Sequence, residues 1–402
     1  MKLEISKNQI MQGLNIVKQG VANRTTNPIL KTILFEAKPD GWLLMRATNG
    51  VLDISTEVKA EVKKPGKVCV SDLVINLLPT FEDAIHKDAI LQNPVKLEVG
   101  DKGLTVNQGK RKHRPVFMAA DEFPQKMMVE DYQTLAPVDI KNLIEAFQRL
   151  NVAVGVTEDR RILQGFNLNP HLSTMVSGDG TRVYLRENIK LPGNIANPPA
   201  KLIMSILSNL TALGDSDTLE VKSGGLVAFK GTHSTSNGPY LKWEIIVNGL
   251  EGDFPARPQE LILESMQKQP KLKAKVKKAS ISRILGICKI YADRAFNEGK
   301  STHVTMLTTE SGLMFQMYIP DLVEMDEPLE CQIEGEELKY LFHPGLALEA
   351  LDTMKSEDIE LRFFGELAPF LILDGTDFIY LQGAMKQANK EEKKNDNPTV
   401  NE

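Results

Sequence analysis

The sequence predicts an α+β chain built from three similar domains, each with two helices and antiparallel sheets. Three observations predict it. An amphipathic helix opens each third of the chain, a second helix recurs later in each third, and sequence landmarks repeat at a nearly constant offset. Pro28-Ile29-Leu30 is echoed by Arg161-Ile162-Leu163, 133 residues on, and Phe123-Pro124 by Phe254-Pro255, 131 residues on. Agreement between independent landmarks is the mark of an internal repeat.

The opening helices are expected at Ser6–Val21, Asp139–Leu150 and Ser280–Arg294. Their apolar residues recur at helical spacing: Ile10, Leu14, Val17 and Val21; Ile140, Leu143, Phe147 and Leu150; Ile281, Leu285, Cys288 and Ala292. Each set makes one apolar stripe, and Ser6, Asp139 and Ser280 read as caps. The second helices are expected at 71–82, 199–213 and 336–354, the last broken or begun afresh at Pro344. Between them lie alternating strands: Leu43–Arg46, Val68–Val70, Val95–Val99, Leu104–Asn107, Leu241–Val247, Val304–Thr308, Leu313–Tyr318 and Ile359–Phe364. Turn residues such as Pro39-Asp40-Gly41, Gly178-Asp179-Gly180 and Asp374-Gly375 punctuate them. The expected domains are 1–128, 129–258 and 259–386, with a lysine-rich connector at Lys268–Lys278 and a disordered charged tail at 387–402.

Composition narrows the class. The chain has 402 residues, 42% hydrophobic and 25% charged, which is globular usage and excludes a disordered or fibrous protein. No stretch of 18 apolar residues occurs, so no membrane-spanning helix is expected. The opening MKLEISKNQI lacks the apolar run of a signal peptide, which reads as a cytoplasmic protein. Cys69, Cys288 and Cys331 are scattered and fit neither a disulfide framework nor a zinc site. A net charge of −5 argues against a surface basic all over, but a basic face remains compatible with it.

Catalytic motifs are missing from the text. The six histidines are far apart and none sits in a metal-binding pattern, and no dinucleotide, Walker or nucleophile-elbow motif occurs. Ser177-Gly178-Asp179-Gly180-Thr181 is followed by strand-like Arg182-Val183-Tyr184-Leu185, so it reads as a β-turn. Acid pairs such as Glu158-Asp159 read as solvated. Neither an enzyme nor a metal or cofactor is expected.

The basic residues carry more. Lys7 and Lys18 fall on the polar side of the first helix, and Lys141 and Arg149 on that of the helix opening the second unit. Arg24, Arg160, Arg161 and the run Lys110-Arg111-Lys112-His113-Arg114 fall in loops or at strand ends. Each alone reads as an ordinary solvated charge. Together they form a candidate track that touches phosphates without reading bases.

The opening ISKNQIMQGLNIVKQGVANRTTNPILKTILFEA resembles the start of the bacterial sliding clamp, the beta subunit of DNA polymerase III. So do TEDRRILQGFNLN, SGDGTRVYLRENI, GDFPARPQEL and the closing DFIYLQGAMK, in the right order over residues 1–386. The resemblance implies the DNA clamp fold. Each chain would be half of a six-domain ring, a head-to-tail homodimer with helices lining the hole and sheets outside. Such a ring encircles double-stranded DNA regardless of sequence and tethers a DNA polymerase as its processivity factor. A separate clamp loader supplies the ATPase. A second reading is a clamp-fold protein that binds peptides without encircling DNA.

The resemblance also implies roles. Arg24 matches a DNA-contacting position, and Arg160 and Arg161 lie on a second-domain loop with that role. A partner-peptide pocket between the second and third domains would be walled by Leu163, by Gly178, Asp179, Gly180, Thr181, Arg182 and Val183, by Pro255, and by Tyr380, Leu381, Gly383 and Met385. The chain departs from the family in places. Gly383-Ala384-Met385-Lys386-Gln387 stands where Met-Pro-Met-Arg-Leu is usual, and Thr181 stands where His is usual. Loss of a Met side chain at Gly383 removes apolar wall and implies a modified partner motif. At the expected subunit interface stand His113 and Pro115 on one side, Arg294 and Ala295 on the other.

Overall fold

The computed structural model describes residues 1–385, apart from 84, 88, 89, 101, 102, 216 and 301; the expected tail at 387–402 lies outside the described residues. Strands dominate, and of the eight strand expectations seven fall inside observed strands while Ile359–Phe364 overruns its strand by one residue, because alternating apolar residues must face one side of a pleated sheet. The chain forms two compact units. The first comprises residues 1–147, 159–175 and 189–253, and the second comprises 148–158, 176–188 and the chain from 254 onward. Both units cross the expected domain boundaries because strands pair across them. Leu52–Lys59 pairs with Gly238–Asn248, and Arg182–Arg186 pairs with Phe378–Gln382.

In the first unit a nine-stranded sheet has Leu52–Lys59 and Gly238–Asn248 at its centre, flanked by Trp42–Thr48 and Leu226–Thr235. A five-stranded sheet carries Lys2–Ile5 in its interior and Arg111–His113 at one edge. Helix α1 (Lys7–Val17) begins where expected. The Gln9 amide donates to Ser6 Oγ at 3.1 Å and the Ser6 amide to Gln9 Oε1 at 3.3 Å, a reciprocal cap. Gly13 lets α1 lie close on the sheet, since a Cβ there would stand 2.4 Å from Met45 Cε. Helices α2 (Asp72–Leu77), α3 (Pro137–Leu150) and α4 (Ala200–Thr211) follow. In α3 Pro137 takes the first turn, where its missing N–H costs nothing, so Asp139 lies inside the helix and is no cap.

In the second unit Arg182–Arg186, Phe378–Gln382, Phe370–Asp374, Asp358–Phe363, Leu272–Lys277 and Gln332–Gly335 lie side by side in one sheet. A four-stranded sheet runs Val323–Glu330, Gly312–Ile319, Val304–Thr309, Lys339–Phe342. Four expectations change here. The connector at Lys268–Lys278 holds a strand, because Leu272, Ala274 and Val276 alternate into the core while the lysines between them face out. Helix α5 (Arg257–Gln267) occupies the expected boundary. The helix expected at 336–354 is a strand, Lys339–Phe342, followed by α7 (Pro344–Thr353), whose cap is His343 Nδ1. Helix α6 (Lys278–Asn297) buries Ile281, Leu285, Cys288 and Ala292 as the stripe predicts, but begins before Ser280. Tyr340, Phe342, Phe363 and Phe370 are buried, and their rings pack against one another.

Candidate functional site

The expected basic residues divide by environment. Lys18, Arg24, Lys141, Arg160 and Arg161 are exposed. Arg24, Lys141, Arg160 and Arg161 make no ion pair among the described residues, and Lys18 donates only to Asn15 at 2.9 Å. Lys18 stands in the tight turn after α1 and Arg24 in the loop beyond it. Arg160 takes a non-helical conformation (φ −129°, ψ 64°) that kinks its turn of chain. Lys7 is half-buried and pairs with Asp83 at 3.4 Å, so its charge is partly spent.

A signal that charge counting overlooks is the absence of acid. Neither α1 nor α4 contains an Asp or Glu, in a chain with 53 of them. The exposed sides of the two helices carry Asn8, Gln12 and Asn15, and Lys201, Ser205 and Ser208. Asn209 near the end of α4 donates to Gln19 just after α1 at 3.2 Å, which brings the two helices together. Amides, hydroxyls and lysine without carboxylate suit a polyanion.

Arg149 is corrected. It is 4% exposed and cannot reach a phosphate. Its guanidinium pairs with Asp374, donates to the Tyr184 hydroxyl at 3.1 Å and stacks 3.5 Å from the centre of the Phe378 ring. Asp374 also accepts from the Lys355 and Ser356 amides at 2.9 Å each. The polar side of α3 therefore ends against protein, not solvent.

The pocket residues of the second unit are only partly as expected. Ser177–Thr181 is the predicted β-turn: Gly180 has φ +98°, and Asp179 Oδ1 accepts from the Thr181 and Arg182 amides at 2.9 and 3.0 Å. Gly180, Thr181 and Pro255 are exposed, and Gly383 and Met385 are half-buried. The Gly383 amide donates to the Thr181 carbonyl at 3.0 Å, which ties the C-terminal segment to the turn. Val183 and Leu381 are buried and directly paired, and Gly178 is buried beside them. Arg182 and Tyr380 point to the opposite face of the sheet, as neighbours of Val183 and Leu381 must. There Arg182 is held by Asp179 at 2.9 Å and Glu349 at 2.6 Å. The Tyr380 hydroxyl, its ionisation suppressed by burial, donates to the Leu346 carbonyl at 3.0 Å. Neither is open to a ligand. Leu163 is buried in the first unit.

What the sequence missed is α5. Its Ile262 joins a buried cluster with Val176, Val183, Leu185, Leu371, Leu373, Ile379 and Leu381, against which the partly buried Phe254, Leu261, Met266 and Phe364 pack. That makes an apolar, half-open surface beside Pro255. Ile262 and Met266, one helical turn apart in an apolar run after Pro258, were the available signal.

Comparison with known proteins follows the same outline. Curated relatives called beta sliding clamp include that of Bacillus subtilis, 26% identical over 409 residues with 95% of this chain and 98% of that one covered. That of Synechococcus elongatus is 23% identical, covering 92% and 95%. Among solved structures, a putative DNA polymerase III beta subunit from Eubacterium rectale superposes with TM-score 0.78 at 18% identity, over 96% of this chain and all of that one. The Bacillus subtilis sliding clamp does so with TM-score 0.76 at 21% identity, over 96% and 99%. These structures share the fold. The model of the DNA polymerase III beta subunit N-terminal domain matches residues 1–136, and that of its C-terminal domain matches residues 267–387. The two models belong to one protein, match in chain order and jointly cover more than half of the sequence, so the chain belongs to the DNA polymerase III beta subunit family.

Proposed function

We propose that the chain is a DNA sliding clamp, a cytoplasmic processivity factor that encircles duplex DNA and tethers the replicative polymerase. The observation that carries this reading is coverage: relatives named beta sliding clamp match over nine-tenths of this chain and of their own length. It is an accessory subunit and not an enzyme. A clamp loader opens the ring, and the three-fold repeat supports the division into domains 1–128, 129–258 and 259–386, six to a ring.

Sliding needs weak, sequence-independent phosphate contacts. The acid-free faces of α1 and α4 and the exposed Lys18, Arg24, Lys141, Arg160 and Arg161, with Lys7, suit that need. Tethering raises the local concentration of polymerase at the primer end. The half-open surface beside α5, rimmed by Thr181, Val183, Pro255, Leu381, Gly383 and Met385, suits a short apolar peptide.

A head-to-tail dimer needs two different surfaces that fit each other. The first unit offers the edge strand Arg111–His113 with Lys110, Lys112 and Arg114 exposed, and Val116, 70% exposed, beyond it. The second unit offers the edge strand Val323–Glu330 with Glu324, Asp326 and Glu330 exposed. Beside it α6 presents Ile290 and Phe296, 68% and 75% exposed. Ala295, expected at this surface, is buried in the core instead, and Arg294 pairs with Glu298 at 2.7 Å. Basic edge against acidic edge, with bare apolar groups beside each, favours joining.

The test is solution mass by light scattering, then retention on circular against linear duplex. A dimer of the 44.7 kDa chain, retained on circles after loading and lost from linear ends, is expected. A monomer that never becomes topologically linked to circles refutes the clamp and leaves the peptide-binding reading.

A further inference from the structure

The face of the nine-stranded sheet turned away from α1 carries a groove that the clamp reading leaves unused. Alternation puts Trp42, Glu57, Lys59, Lys230, Lys242 and Glu244 on that face, with Lys242 opposite Glu57 and Lys230 opposite Glu244. A cavity of about 270 Å³ opens among Ser55, Glu57, Lys126, Lys230, Lys242 and Glu244. Its charges do not cancel. Lys38 pairs with Glu57, Lys126 with Glu244, and Lys230 with Glu220 at 3.5 Å. Lys59 and Lys242 have no carboxylate partner among the described residues; they stand 5.8 and 4.6 Å from the centre of the Trp42 ring. Lys230 stands 5.5 Å from that of Tyr132.

The same face already holds extended polypeptide. Arg46 donates to the Pro124 and Gln125 carbonyls at 2.6 and 2.8 Å. Asp53 accepts from the Met127 amide at 3.3 Å, and Glu244 from the Tyr132 hydroxyl at 2.7 Å. Side-chain cations and carboxylates thus grip a backbone that forms no strand there.

We propose that this groove docks an extended acidic peptide segment of a partner protein. Its spaced carboxylates meet the Lys59, Lys230 and Lys242 ammonium groups, and Glu57 and Glu244 accept its backbone amides. Charge complementarity selects the acid. The same two glutamates select against single-stranded nucleic acid, whose phosphates fall at every nucleotide and would be driven against them. Bases also need bare ring faces to stack on, and amines already cover Trp42.

Trp42 reports on the groove, because it is half-exposed among lysines while Trp243 is 1% exposed. The full chain is titrated with a peptide alternating Glu and Gly while tryptophan emission is followed; an alternating Lys-Gly peptide and oligothymidylate serve as comparisons. A saturable change with the acidic peptide alone is expected, weakened by salt. It vanishes in Trp42→Phe, while Lys230→Ala with Lys242→Ala weakens binding about tenfold. Circular dichroism and solution mass of that double variant should match the parent, since both side chains face solvent. Three results each overturn the proposal: no saturable change, an affinity unmoved by the double variant, or oligothymidylate binding more tightly than the acidic peptide.

Discussion

Arg149→Met separates what the helix pattern expects from what the packing shows. Methionine keeps the apolar stem and removes the charge. Asp374 then stays 5% exposed without its guanidinium, though the Lys355 and Ser356 amides still donate at 2.9 Å each. Removing one partner of a buried ion pair costs about 3–5 kcal/mol, and the surviving amide bonds put this loss near the lower end, ~3 kcal/mol. Burial pushes the Asp374 carboxyl up, but Ser356, the Lys355 and Ser356 amides and Arg149 outweigh it and hold the carboxyl below its ordinary range. A carboxyl so depressed contributes stability above its unfolded pKa and loses it as pH falls through the folded value. The deficit of the variant is therefore full at neutral pH and narrows as pH falls and the buried carboxyl takes up a proton. Urea unfolding at neutral pH and at about pH 3 measures it, alongside the salt dependence of duplex binding. The packing argument fails if Arg149→Met is as stable as the parent while its salt slope falls by about 0.9, the value of one phosphate contact.

Other expectations follow from the same structure. Arg24→Ala and Arg160→Ala, both at exposed side chains with no ion pair among the described residues, should each lower the salt slope of DNA binding by about 0.9 and change stability by less than about 0.5 kcal/mol. Ile262→Ala should cost about 2–4 kcal/mol in urea unfolding, because the side chain is fully buried between α5 and the sheet; an effect near zero would mean that α5 is not seated there. Gly383→Met should fold normally, since a Cβ at Gly383 would sit 3.4 Å from the Thr181 carbonyl oxygen. The added apolar side chain should tighten a fluorescein-labelled apolar clamp-binding peptide about fivefold, read by anisotropy. Arg111→Glu with Lys112→Glu should shift sedimentation toward monomer, because acid would then face the acidic edge at Glu324 and Asp326.

Sequence alone determined the elements whose code is local. The stripe Ile10, Leu14 and Val17 with the Ser6 cap specified α1, alternation specified the long strands, and Gly178-Asp179-Gly180 specified the turn, because periodicity and turn chemistry act within a few residues. The repeat and the ordered motifs also carried the family. The lysines of 268–278 hid a strand, since net polarity was heard above the alternation of Leu272, Ala274 and Val276. The site was less legible. Arg149 and Arg160 both read as surface cations, and only the packing of Phe378 and Asp374 against α3 put one of them inside. Tyr380 and Leu381 are neighbours on one strand, and the sheet decides that Tyr380 serves the core while Leu381 meets the surface that α5 half covers. A stripe or an alternation marks the apolar face, but whether the polar face also meets protein, as at Arg149, depends on partners more than a hundred residues away that no local pattern encodes.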